Sequence, residues 1–148
     1  MKRIARKEGK DVWLDVQARP YRVIAPVEGR VFVCALFVAD PTITDAERAE
    51  ISSQIVAAGC RYAVCAGLKC SEWDDSIDFA HLETDPNFDP PDETFVMTTW
   101  HEGESVAEVL EFALMWTNFD DNVFEHLLVL VLGQDARLHS EIAAALAA

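Results

Sequence analysis

A short apolar run, Phe95 to Thr99, leads directly into Trp100, His101, Glu102 and Glu104. A histidine beside a carboxylate at the end of a strand can act as a general base with its orienting partner, or as a pair of metal ligands. The spacing is not that of a zinc protease helix, because position 105, four residues after His101, is Ser. A second polar cluster, Lys69-Cys70-Ser71-Glu72-Trp73-Asp74-Asp75, follows the preceding apolar run. Cys70 falls at an expected helix N-terminus, where the helix dipole and unpaired N–H groups favour a thiolate, and Lys69 adds to that field. A Cys70–His101–Glu102 nucleophile set is therefore coherent chemistry, provided the two strand ends meet. The competing reading of Cys70 is an inert thiol beside a cap.

Trp73 and Trp100 would wall a pocket or anchor a partner if both reach the strand ends, and would otherwise pack in the core. His81 shares a helix face with Trp73 and Ile77, which makes it a packing residue, and no metal site is assigned. Asp40 precedes Pro41 and reads as a turn residue. Neither a Gly-x-Gly-x-x-Gly nor a Gly-Lys-Ser/Thr loop occurs, so neither standard nucleotide site is expected and the cofactor stays unknown.

These clusters need elements to hold them. Val31–Val38 is almost wholly apolar, as a strand covered on both faces should be. Thr44 and Glu47 open a helix whose stripe is Ile51, Ile55 and Ala58 and which Gly59 ends. Arg61–Gly67 is the second strand. Ser71 and Asp74 read as the next cap, for a helix to about Leu82. Three prolines make residues 84–93 a loop. Phe95–Thr99 is the third strand, Ser105 and Glu108 cap a third helix, and His126–Leu132 is the fourth strand. Asp135 caps a last helix to about Ala147. Four strand–helix alternations predict an α/β three-layer sandwich with a mostly parallel four-stranded sheet in flavodoxin-like order 2-1-3-4. Residues 1–30 read as an N-terminal extension with a candidate edge strand at Val12–Val16, and residues 31–148 as a single α/β domain.

Charge limits the partners. Twelve basic residues face twenty-six acidic ones, for a net −14. From Ser71 onward there are eighteen acidic residues and one cation, Arg137. Phosphate backbones demand Lys and Arg, so nucleic acid is not an expected partner. A basic protein is. No apolar run is long enough to span a membrane. Four cysteines, two of them inside apolar runs, suit a reducing cytoplasm. Exposed aromatics or the N-terminal strand offer a route to a homodimer.

The strings Cys70-Ser-Glu-Trp-Asp-Asp-Ser76 and Phe95-Val-Met-Thr-Thr-Trp-His-Glu102 resemble an uncharacterised bacterial family of domains of unknown function. The resemblance implies a bacterial, cytoplasmic setting and brings no activity with it. The expectation is a non-catalytic acidic binding or regulatory module. It would engage a basic protein or a small ligand through Trp73, Asp74, Asp75, Trp100, His101 and Glu102. The alternative is a small cysteine- or metal-dependent hydrolase using Cys70 and His101.

Overall fold

The computed structural model describes residues 1–148. Six strands form one sheet: β1 (Lys2–Lys7), β2 (Lys10–Gln17), β3 (Phe32–Val38), β4 (Cys60–Gly67), β5 (Met97–Trp100) and β6 (His126–Leu132). Four helices cover it: α1 (Asp45–Ala58), α2 (Cys70–Leu82), α3 (Val106–Met115) and α4 (Ala136–Ala147). The strand order is β1-β2-β6-β3-β4-β5, with every neighbouring pair parallel except the β1–β2 hairpin.

The flavodoxin-like order is corrected here. Steps β3 to β4 and β4 to β5 run in the same direction, and the chain then returns past both to place β6 on the far side of β3. Crossovers of one hand then put α1 and α2 on one face and α3 on the other. The two cores agree. Ile51, Ile55, Trp73 and Ile77 pack on Cys34, Leu36, Cys65 and Leu130. Val109, Leu110, Ile142 and Leu146 pack on Val33, Ala35, Val64 and Val129. Alternating strand residues feed opposite layers, so each central strand must be apolar throughout.

The single candidate edge strand is also corrected. Residues 1–17 give two strands, joined at Glu8-Gly9, both with positive φ (51° and 75°), the geometry of the tight hairpin turn that matches strand twist. β2 is not an edge: it lies between β1 and β6, with Val12 wholly buried. Residues 18–31 then strap across the α1 side of the sheet. Tyr21 and Val23 join that core, and Gln54 of α1 accepts the Val23 N–H at 2.8 Å.

Two glycines close the strand ends that carry the site. Gly67 has φ +85°, and a Cβ there would lie 2.4 Å from the Val38 carbonyl oxygen. Gly133 has φ +109°, and its Cβ would lie 2.8 Å from the Asp40 nitrogen. No helix is long and apolar enough to cross a membrane.

Candidate functional site

The rim at the carboxyl ends of β3, β4 and β5 divides into two chemically different parts. At β3, Asp40 starts the expected turn: its Oδ1 accepts the Thr42 N–H at 2.8 Å and the Thr42 hydroxyl at 2.6 Å. Tyr21 donates its hydroxyl to Oδ2 at 2.6 Å, and Arg19 lies 3.4 Å away. The Thr42 hydroxyl first, then Tyr21, then the Thr42 amide hold the Asp40 carboxyl down to about 2. Burial and the Asp40 bond push Tyr21 up to about 12. Arg19 also grips Glu47 through two bonds of 2.7 and 2.8 Å. Thr44 caps α1 as expected, but Glu47 spends its carboxylate on Arg19. Arg19, Arg48 and Lys69 make this part of the rim mixed in charge.

The α2 cap differs from the sequence reading. The helix starts at Cys70 after Lys69, which takes a left-handed conformation (φ 55°) and offers no side-chain cap. Asp74 is therefore one turn inside the helix and caps nothing. Cys70 is only 4% exposed and belongs to the α1/α2 core. Its thiol is pushed up by burial and then by the Glu102 carboxylate, against weaker support from the backbone amides of His101, Ser71 and Cys70 itself.

The His101 ring turns to the opposite layer. It packs 4.6 Å from Phe112 of α3, and Phe112 rests on the α3/α4 core. Its Nδ1 lies 2.8 Å from Glu104 Oε2 and its Nε2 2.8 Å from the Thr99 hydroxyl. A carboxylate only accepts, so Nδ1 carries the proton to Glu104, and in the neutral ring Nε2 accepts from Thr99. Cys70 thus lies against the backbone of His101 and within the field of the Glu102 carboxylate, while the imidazole faces away. The structure does not assemble those three side chains into a nucleophile set.

The other candidates separate by depth. Trp73 is core, beneath a cavity of about 120 Å³ that Val38, Asp40, Arg48, Leu68 and Lys69 also line. His81 is buried as a packing residue, edge-on to Phe95 at 5.9 Å, and burial lowers its pKa. Trp100 is 54% exposed at the end of β5. β5 is the open edge of the sheet, begins two residues later than Phe95, and follows a 3₁₀ turn at Asp92–Thr94. Phe79 and Phe88 stack at 6.2 Å and are both exposed, Phe79 beside the groove between α1 and α2.

Sequence reasoning passed over Asp78 and Thr98. The Thr98 hydroxyl donates to Asp78 Oδ1 at 2.8 Å. Carboxylate oxygens of Asp74, Asp75 and Asp78 lie within 4.8 Å of one another. The signal was present: with the helix running through all three, Asp74 and Asp78 stand four apart on one face.

Neither the curated proteins nor the solved structures contain a significant match to this chain. A family model described as a domain of unknown function, DUF7684, matches residues 15–148, from within β2 to the C-terminus. The chain belongs to that family.

Proposed function

We propose that the protein is a non-catalytic binding module that holds a cationic protein segment along the open edge of β5. The observation that carries this reading is an exposed Trp100 on an unpaired strand edge, within a stretch that has no positive side chain. Residues 70–104 contain eleven Asp and Glu and neither Lys nor Arg. Edge strands with free backbone groups accept an added strand, and aromatics at the centre of such a patch supply the anchor. Trp100 would provide the apolar contact while Asp75 and Glu102 attract the approaching charge. At the strand ends a protein segment fits better than a small molecule, because the cavity there, about 120 Å³, is far below the several hundred Å³ of ordinary ligand sites. The orientation of His101 also weighs against the hydrolase alternative. Four free cysteines agree with a reducing, cytoplasmic setting, and the resemblance implies a bacterial one.

The test titrates the protein with an extended Lys/Arg-rich peptide and with its Glu-substituted counterpart, read by backbone amide shifts. Expected are shifts confined to β5, α2 and the 83–95 loop with the basic peptide alone, weakening steeply with salt. Trp100→Ala should weaken binding at least about tenfold, as loss of a hot-spot anchor does. Glu111→Gln, a control on α3, should not. Shifts spread over the whole acidic surface, or affinity indifferent to salt and to Trp100, would overturn the reading.

A further inference from the structure

We propose that Asp74, Asp75 and Asp78, with the Thr98 hydroxyl behind them, form a binding site for a hard divalent cation on the β5 side of α2. The inference is independent of the partner-binding reading. It begins with three carboxylates at positions i, i+1 and i+4 of one helix, each offering an oxygen within 4.8 Å of the others. That limit is the span two oxygens keep across a cation bound at about 2.4 Å.

A second observation points inward. Asp74 is 4% exposed, and its Oδ2 is buried with no hydrogen-bond partner. A buried carboxylate oxygen without a donor is costly, and proteins rarely leave one so. Its neighbours make the cost larger, since Asp75 and Asp78 are exposed carboxylates of the same sign. No Lys or Arg occurs from Cys70 to Glu104 to neutralise them. Like charges four apart also disfavour the helix that carries them. An ion with two positive charges resolves all of these conflicts at one point.

The donor set selects the kind of ion. All ligands are oxygen, with no imidazole or thiolate among them, which suits Ca²⁺, Mg²⁺ or Mn²⁺ over Zn²⁺. Asp74 supplies the inner, fixed ligand, and Asp75 and Asp78 close from the solvent side, leaving the outer positions to water. Thr98 donates to Asp78 and so orients that carboxylate.

The test uses chelator-treated full-length protein. Ca²⁺, Mg²⁺, Mn²⁺ and Zn²⁺ are each added at matched ionic strength and followed by calorimetric titration and by thermal unfolding. Expected is saturable uptake of one oxygen-preferring ion per chain, with a rise in Tm that NaCl of equal ionic strength does not give. Asp75→Asn and Asp78→Asn, both at exposed positions where folding is secure, should each weaken uptake at least about tenfold, which is about 1.4 kcal/mol. Asp89→Asn, in the loop outside the cluster, should leave it unchanged. Uptake without saturation, a Tm response no larger than that of NaCl, or equal uptake by the Asp75 and Asp78 variants would overturn the site. Peptide binding at β5 reads the partner-binding proposal separately, so either can fail without the other.

Discussion

Asp40 and Cys70 stand on the same rim, and their neighbours give them opposite ionisation. Two Thr42 donors, Tyr21 and Arg19 converge on Asp40 and hold its carboxyl at about 2, below its ordinary 3.8. A depressed carboxylate stabilises the fold fully above its unfolded value and loses that contribution as pH falls from near 3.8 towards 2. Asp40→Asn should therefore cost about 1 kcal/mol at neutral pH, the low end for charge-assisted bonds because solvent screens Arg19. Urea unfolding from pH 7 to pH 2 checks this, and the gap between variant and wild type should close at the acid end. At Cys70, burial and Glu102 push the thiol up, so it stays protonated at neutral pH. Native protein at pH 7.5 should react with iodoacetamide much more slowly than a free thiol, at Cys70 as at the fully buried Cys34, Cys60 and Cys65, scored by mass spectrometry. Faster alkylation at Cys70 would revive the nucleophile reading. The residue types were legible in the chain. Which side of the sheet each would face was not, because a strand that ends one residue later sends the next side chain to the opposite layer.

Caps show what sequence conveys well at the scale of elements. The Ser105–Glu108 box forms reciprocally, with Ser105 Oγ accepting the Glu108 N–H at 3.1 Å, and Asp135 accepts the Leu138 N–H. Both signals are complete within four residues, and here no distant group competes for their side chains. Ser105→Ala should cost about 1 kcal/mol, seen as a fall in Tm of about 2–4 °C for a domain of this size. The start of α2 was misread because it depends on Lys69 turning left-handed, a conformation lysine does not announce. What fixes that turn is tertiary. Gly67 passes so close to Val38 that Leu68 donates its N–H to the Val38 carbonyl at 2.9 Å. Gly67→Ala would force a Cβ into that carbonyl at positive φ, with no flexible atom to yield. It should destabilise by at least about 3 kcal/mol, measured by denaturant unfolding. A variant as stable as wild type would show that the turn can shift, and with it the first residues of α2.

At the scale of the whole molecule, strand order rests on a contrast that the sequence already holds. His126–Leu132 is buried at every position, whereas Met97–Trp100 is half-buried or exposed throughout. An all-apolar strand needs neighbours on both sides and layers on both faces, and a short threonine-containing one can tolerate an edge. Order 2-1-3-4 sets the short, half-exposed third strand between two neighbours inside the sheet, so the contrast alone disfavours it. What supplies the second neighbour of β6 is β2, whose alternation of apolar and polar residues looks like that of an edge. It pairs with β6 over seven consecutive residues from Asp11–His126 to Gln17–Leu132, and Lys10 reaches across to donate its Nζ to the Leu114 carbonyl at 3.0 Å. Two truncations separate the roles of the hairpin strands. Removing residues 1–9 uncovers β2, whose Asp11 and Asp15 charges protect an edge, so the protein should stay soluble with a lowered Tm. Removing residues 1–17 bares the entire Leu127–Leu132 run, an uncharged apolar edge. That chain should aggregate on purification, as size-exclusion chromatography would show. A monomeric, cooperatively unfolding 18–148 fragment would mean that β6 is held by β3 and the two helix layers alone, and that β1 and β2 are an addition to a self-sufficient four-stranded core.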